Sequence, residues 1–443
     1  MQKVTCRNCE RLRIRVRELE HQNVELKAEN AQLKSRLEAY ENAHTAPSQR
    51  KFPIRRCHDH VGPRYPGRPK GCAGRTRQTS RPDLTLKAEA DRCPHCGSPL
   101  GEPTSVKRRV IEEIPEPQPR RVIEFLEASY DCSRCGAHVA ARHPDCPPEG
   151  RFGRNVSVQA TLLKYEERLP LRKVRAALQR QGLTVTPSTV QEIIRRVAEW
   201  LRPEYDMIQE RIRRADVVYT DETGIKVDGK QHWIWVFTTN SETFVAIRRS
   251  RGKRVLREIL GEGFNGILVC DGWKSYPNFT SRIQRCWAHL LREAKYLAEN
   301  IDEAKPLSEA LHKLYSRLNK SSEDRPPPEV VARLVKSAKR TMTNWATRPH
   351  KSDEVRRFAG KIRNGIDHWF TFVTTPGVEP TNNRAERALR EHVIQRKIIG
   401  TLRNQKGTFV HETITTLLAT WKQQGLNPAE MLANTLSLKW QNS

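Results

Sequence analysis

The chain has 443 residues and a formal net charge of +28 at pH 7. That length allows several domains with at least one sizeable core, and the charge far exceeds what solubility needs, which points to a polyanionic partner, nucleic acid first. No apolar run approaches the roughly 20 residues that cross a bilayer, and the N-terminal MQKVTCRNCERLRIRVRELE lacks the apolar centre of an export signal. No membrane partner is therefore expected, and the location expected is cytoplasmic and nucleoid-associated. In that reducing setting the 11 cysteines are read as metal ligands before disulfides.

From Leu12 to Tyr40 a seven-residue repeat puts Leu12, Leu19, Leu26, Leu33 and Tyr40 at one core position and Val16, Asn23, Asn30 and Leu37 at the other. This predicts a coiled coil over 10–41, in which buried Asn favours a parallel pair, and hence a homodimer. A single helix packed on the protein's own body is the alternative. Residues 42–90 follow as a basic Pro/Gly-rich linker, too poor in apolar surface to fold alone. Within it YPGRPKG, with Arg68 and Lys70, can lie extended in a DNA minor groove or remain a solvated connection.

Residues 91–150 are expected to be a zinc-binding module. Cys93-Pro-His-Cys96-Gly and Cys132-Ser-Arg-Cys135-Gly can each offer two thiolates to one tetrahedral structural Zn2+, and the run RRVIEFLEASY between them reads as a strand. Reduced core cysteines are the other reading. Cys6 and Cys9 form a lone pair that lacks two ligands.

Residues 151–210 read as a helix-turn-helix-like region. LPLRKVRAALQRQGL stops at Gly182, and TPSTVQEIIRRVAEWL restarts with Thr186 as N-cap and Pro187 at the first helical position. The second helix carries Arg195 and Arg196, which are candidate DNA contacts, although any helical hairpin has this pattern. Over 211–300 the period changes. DVVYTDETGIKV, HWIWVFTT, TFVAIRRS and GILVC are β-branched and aromatic runs, with a helical GKRVLREIL before the last. A mixed α/β unit is expected, then a helical insertion over 301–372 broken at Pro326-Pro327-Pro328, then core completion and C-terminal helices over 373–435.

Asp221 follows the strand-like VVYT, and Asp271 follows GILVC, the apolar run of a buried strand. Either alone reads as a turn residue. Two strand-end aspartates with a glutamate from a later helix can instead converge on two divalent ions about 3.5–4 Å apart, the arrangement that drives in-line displacement at phosphorus, and carboxylate oxygens suit Mg2+ or Mn2+. Glu222 points to the opposite face of an extended chain.

In this order YTDETGIKV, GILVCDGWKSY, RCWAHLLREAK and PTNNRAERALR resemble the DDE transposases of the insertion sequence 66 family. The resemblance also takes in both Cys knuckles and LPLRKVRAAL, and so covers about residues 60 to 430. It implies a multidomain protein whose α/β ribonuclease H-like catalytic core is interrupted by the helical insertion, with Asp221, Asp271 and Glu386 as catalytic and Mg2+-binding triad. It also implies strand cleavage at the ends of an insertion sequence and strand transfer into target DNA. The implied partners are the terminal inverted repeats, target DNA and accessory proteins of the same element. Family members often carry Asp where this chain has Thr381, which removes an extra ligand but leaves the triad intact. By the same resemblance His289, in CWAH, is a candidate for contact with the scissile phosphate or a site carboxylate, against a structural histidine beside Trp287. Asn383, which has the form of a capping box with Glu386, and Arg387 are further candidates for support of the site. A zinc-containing DNA-binding regulator without catalysis, and a nuclease that cuts without joining, are the alternative functions.

Overall fold

The computed structural model describes residues 7–40, 81–82, 84–86, 91–92, 94–100, 102, 105–111 and 120–441, with side chains in the first helix at 15, 16 and 18–33. Cys6, Arg68, Lys70 and Cys93 lie outside the described residues, as does the side chain of Cys9. The chain divides into two units, one of residues 54–121 and one of residues 1–53 with 122–443. In the smaller unit Arg92 bridges Pro99 around the turn that holds Cys96.

The larger unit opens with α1 (Arg7–Tyr40), on which Val16, Leu19, Leu26 and Leu33 are exposed. The hairpin of β1 (Ser129–Asp131) and β2 (His138–Ala140) follows. The strand expected from RRVIEFLEASY shrinks to its last two residues. Val122, Ile123 and Leu126 are exposed, and among the described residues the sheet that follows them has two strands.

Next come α2 (Arg154–Tyr165), α3 (Leu171–Arg180), α4 (Pro187–Trp200) and α5 (Arg202–Arg213). Thr186 Oγ1 accepts from the Thr189 N–H at 3.1 Å with Pro187 in the first turn, so α4 begins where its cap residues predict. Its Val190, Ile193, Ile194 and Val197 are buried in the main hydrophobic core.

The central sheet contains β3 (Val217–Val227), β4 (Lys230–Thr238), β5 (Thr243–Arg248), then α6 (Lys253–Leu260) on its face, β6 (Ile267–Cys270) and β7 (Ile283–Arg285). The strand order is β5-β4-β3-β6-β7. β3, β4 and β5 pair antiparallel, whereas β3, β6 and β7 pair parallel. Period-2 alternation sends Trp235 and Phe237 to the main core and Ile234 and Val236 to a second cluster, so both faces are covered.

Four helices extend from the sheet after α7 (Trp287–Asn300): α8 (Lys305–Asp324), α9 (Pro328–Thr347), α10 (Asp353–Asn364) and the short α11 (Thr371–Thr374). The break between α8 and α9 falls at the three prolines, which lack backbone N–H donors. The chain then returns through α12 (Asn383–Ile399), β8 (Thr401–Leu402, parallel to the end of β3), α13 (Gln405–Gln423) and α14 (Pro428–Gln441).

Helix α13 closes the exposed edge of β5. Thr416 and Thr420 accept from the backbone N–H groups of Val245 and Thr243 at 3.0 and 3.1 Å, and Glu412 accepts from that of Ile247. Helical i,i+4 spacing thus matches every second residue of a strand, and side-chain oxygens replace the missing neighbour strand.

Among the described residues no helix is long and apolar enough to cross a membrane.

Candidate active site

Asp221 and Asp271 are brought together by register. The parallel ladder pairs Val217 with Ile267, Val218 with Leu268 and Tyr219 with Val269, and the same offset carried two residues further sets Asp221 beside Asp271. Asp271 stands just past the end of β6, as its position after GILVC predicts. Asp221 does not end its strand: β3 continues to Val227 because β4 pairs with it along that whole length. It lies where β6 stops and β3 runs on. Asp271 is turned by a hydrogen bond to its Oδ1 from the Trp273 N–H at 2.8 Å, and Asp221 Oδ1 accepts from the Glu222 N–H at 2.9 Å.

Side-chain alternation puts Asp221 on the Tyr219 side of the sheet, where Tyr219 packs with Trp287 of α7 and Ala385 of α12. Glu386 arrives on that side in the first turn of α12. The helix is fastened there by Asn382, which is fully buried. The Asn382 side-chain N–H2 donates to the Thr220 carbonyl at 2.8 Å, its backbone N–H points at Cys286 Sγ at 3.1 Å, and its own carbonyl accepts from the Glu386 N–H at 3.1 Å. The capping box expected from Asn383 and Glu386 is absent. Asn382 occupies the N-cap position, and its amide is used across to β3 instead of on its own helix.

The electrostatics follow from this crowding. The Asp221 carboxyl is pushed well above the usual carboxylate range, first by burial and then by the charges of Glu222, Asp271 and Glu386. Among the described residues no Lys or Arg forms an ion pair with Asp221, Asp271 or Glu386. Glu386 Oε1 is buried without a hydrogen-bond partner and stands 3.5 Å from His289 Nδ1. Crowded carboxylates with an orphaned buried oxygen and no countercharge fit a hard divalent cation bound through oxygen. The three carboxylates do not close into one tight cluster, however. The donor trio whose atoms all lie within 4.8 Å of one another is Cys286, His289 and Glu386.

On the other face, Glu222 accepts from Arg251 Nε at 2.6 Å and from the Tyr276 hydroxyl. Arg251 lies between the rings of Trp233 and Trp273, at 4.8 and 4.1 Å from their centroids, while its carbonyl accepts from Trp273 Nε1 and Ser275 Oγ. The loop that carries Asp271 is thereby tied to the strand that carries Asp221.

The remaining predicted residues stand apart from this cluster or carry other contacts. Asn383 and Arg387 are exposed on α12. Arg384 binds Glu379 at 2.5 Å and lies over the Tyr219 ring. Arg195 is held between Glu192 and Glu199, and Arg196 pairs with Glu192, so both charges are satisfied along α4 itself. Around Cys132 the backbone makes a tight turn. The Gly136 N–H donates to the Cys132 carbonyl at 2.8 Å with Gly136 at φ +70, and the N–H groups of Cys135 and Arg134 lower the Cys132 thiol below its ordinary value. Two residues near the site were missed in the sequence. Asn382 is the first half of an Asn pair, and Cys286 sits at C-x-x-H spacing before His289. Burial pushes the Cys286 thiol up to about 11.

Fold and site together define an α/β protein that gathers carboxylates where β6 ends beside the longer β3. The chain belongs to the Transposase IS66 family, whose model matches residues 149–409. It is also 26% identical to the uncharacterized protein y4qI of Sinorhizobium fredii, over 62% of this chain and 57% of that relative. With the uncharacterized protein y4hP of the same organism it shares 24% identity, over 78% of this chain and 70% of the relative. The match thus spans a little over half the length of the first of these relatives, 57%.

Proposed function

We propose that this protein cuts DNA strands at the ends of an insertion sequence and joins them to target DNA, with Asp221, Asp271 and Glu386 holding two Mg2+ or Mn2+ ions in a ribonuclease H-like core. The observation that carries this reading is the shared register of Asp221 and Asp271, with Glu386 delivered to the same side of the sheet by the buried Asn382. The mixed strand order β5-β4-β3-β6-β7 and the helices that part α7 from α12 support the core and its insertion. Divalent ions bound there would supply Lewis acidity and an activated oxygen nucleophile, water for cleavage and a 3′-hydroxyl for joining.

The chain's own residues supply the rest. The carboxylates present oxygen donors on adjacent strands and a facing helix, Asn382 and the Arg251 network fix their spacing, and the net charge of +28 draws the phosphodiester backbone to the surface. In this reading α1 pairs two protomers, and the helical region before the sheet contributes to recognition of the element ends.

The test is incubation of purified protein with its own element ends, Mg2+ and a plasmid, beside Asp271→Asn and Glu386→Gln. Cleaved and joined products from the wild type alone are expected. Absence of both from wild type, or equal products from the variants, overturns the reading, and cleavage without joining leaves a nuclease.

A further inference from the structure

Glu386 has two sets of neighbours that call for different chemistry. One is the Asp221–Asp271 pair, all oxygen. The other is Cys286 and His289, with which it forms the close trio of donors. Cys286 is the N-cap residue of α7 and His289 lies in that helix's first turn, so an i,i+3 spacing aims both side chains along one side of the helix. Glu386 comes from the first turn of α12. The two helix starts are locked together: the Trp287 N–H donates to the Pro380 carbonyl at 3.0 Å, and the Asn382 N–H points at Cys286 Sγ. The trio is therefore a feature of two anchored helix ends.

We propose that Cys286, His289 and Glu386 form a binding site for a thiophilic divalent ion of the zinc class, and that its occupation holds Glu386 away from the Asp221–Asp271 pair. Sulfur and imidazole nitrogen select Zn2+ over Mg2+, and three protein donors leave a fourth tetrahedral position to solvent. Bonds of the usual length place tetrahedral ligands roughly 3.3–3.8 Å apart. His289 Nδ1 and Glu386 Oε1 already stand at 3.5 Å, and the remaining separations are no more than 4.8 Å, within reach of small rotamer adjustments. As the sulfur–metal bond forms, the thiol proton leaves to solvent. A Glu386 carboxylate turned to give an oxygen to zinc is drawn from the Asp221–Asp271 pair, so zinc opposes the magnesium-dependent reaction. That opposition rests on the catalytic reading of Glu386, whereas the binding does not.

The experiment titrates the metal-stripped full-length protein with Co2+ and follows thiolate-to-cobalt charge-transfer absorption, then displaces the Co2+ with Zn2+. Cys286→Ser removes the soft ligand but keeps an acceptor for the Asn382 N–H. His289→Gln is the second variant, in case the first fails to fold as judged by circular dichroism and thermal unfolding. The other cysteines give a common background, and the wild type is expected to take up one more equivalent than either variant. Equal uptake by all three overturns the proposal. In parallel, Zn2+ is added to strand cleavage at fixed Mg2+. Cys286→Ser should need at least about tenfold more Zn2+ for half inhibition, the scale that even a lost outer partner costs a metal site, and equal inhibition overturns the competitive half. A protein that loses the cobalt band with Cys286→Ser yet never cleaves DNA keeps this site and refutes the transposase mechanism.

Discussion

The Asn382 side chain donates to the carbonyl of Thr220 at 2.8 Å, so the residue that opens α12 is bonded to the residue that precedes Asp221. A buried amide thus sets the distance between a helix-borne carboxylate and a strand-borne one. Asn382→Ala should lower strand cleavage far more than binding of DNA, and should cost about 1–3 kcal/mol of stability for the unpaired buried groups. Urea denaturation and single-turnover cleavage check this; wild-type cleavage by Asn382→Ala would deny the positioning role.

Asp221 is buried among like charges, an arrangement that a bound cation relieves and that destabilises the metal-free protein. Asp221→Asn should be inactive and yet more stable in chelator, by about 0.5–2 kcal/mol. Mg2+ should raise the melting temperature of the wild type and leave that of the variant unchanged. A variant that is less stable in chelator, or that gains as much from Mg2+, contradicts this account.

Thr416 Oγ1 accepts from the Val245 N–H at 3.0 Å in the fully buried contact between α13 and the edge of β5. Thr416→Val keeps the shape and strands a buried donor, at about 1–3 kcal/mol. Thr416→Ser keeps the acceptor and should lose less. The midpoints of urea unfolding compare the two.

His392 and His411 face each other in the core, with His392 Nδ1 3.2 Å from His411 Nε2. Burial lowers His392 to about 4 and His411 well below its ordinary value, the latter helped by His392 and Lys164. With folded values below unfolded ones, the unfolded chain binds more protons, so stability rises with pH through this window. The contribution is complete above about pH 6.5 and is lost as pH falls toward 4, by up to about 1.4 kcal/mol per pH unit for each histidine. Denaturation midpoints between pH 7 and 5 should fall in the wild type and fall less in His392→Gln.

Val16, Leu19, Leu26 and Leu33 are exposed along α1, an apolar seam that a second helix of the same kind covers. Sedimentation should give a dimer for the wild type and a monomer for Leu19→Lys with Leu26→Lys. A monomeric wild type removes the coiled-coil reading.

Much of the architecture was legible because it rests on local chemistry. Thr186 and Pro187 start α4 through short-range capping, the three prolines part α8 from α9, and β3 to β6 fall on β-branched and aromatic runs between turn residues. β7, β8 and α14 were not foreseen. The first two are only three and two residues long and exist through their neighbours, and α14 continues past the last helix that the sequence pattern marked. The spacing of Asn383 and Glu386 predicts a cap because Asn there usually serves its own helix, and only the packing of α12 on β3 turns the task over to Asn382.

The sequence by itself determined which residues carry charge and sulfur, and the 50-residue interval between Asp221 and Asp271. Tertiary structure alone decided that this interval equals the offset of a parallel ladder, so that two distant aspartates become neighbours on one face. It also decided that Glu386 comes within 4.8 Å of the donor atoms of Cys286 and His289. The physical reason is that hydrogen-bond register and helix packing are properties of surfaces in contact, and spacing along one chain states them only after the partner surface is known.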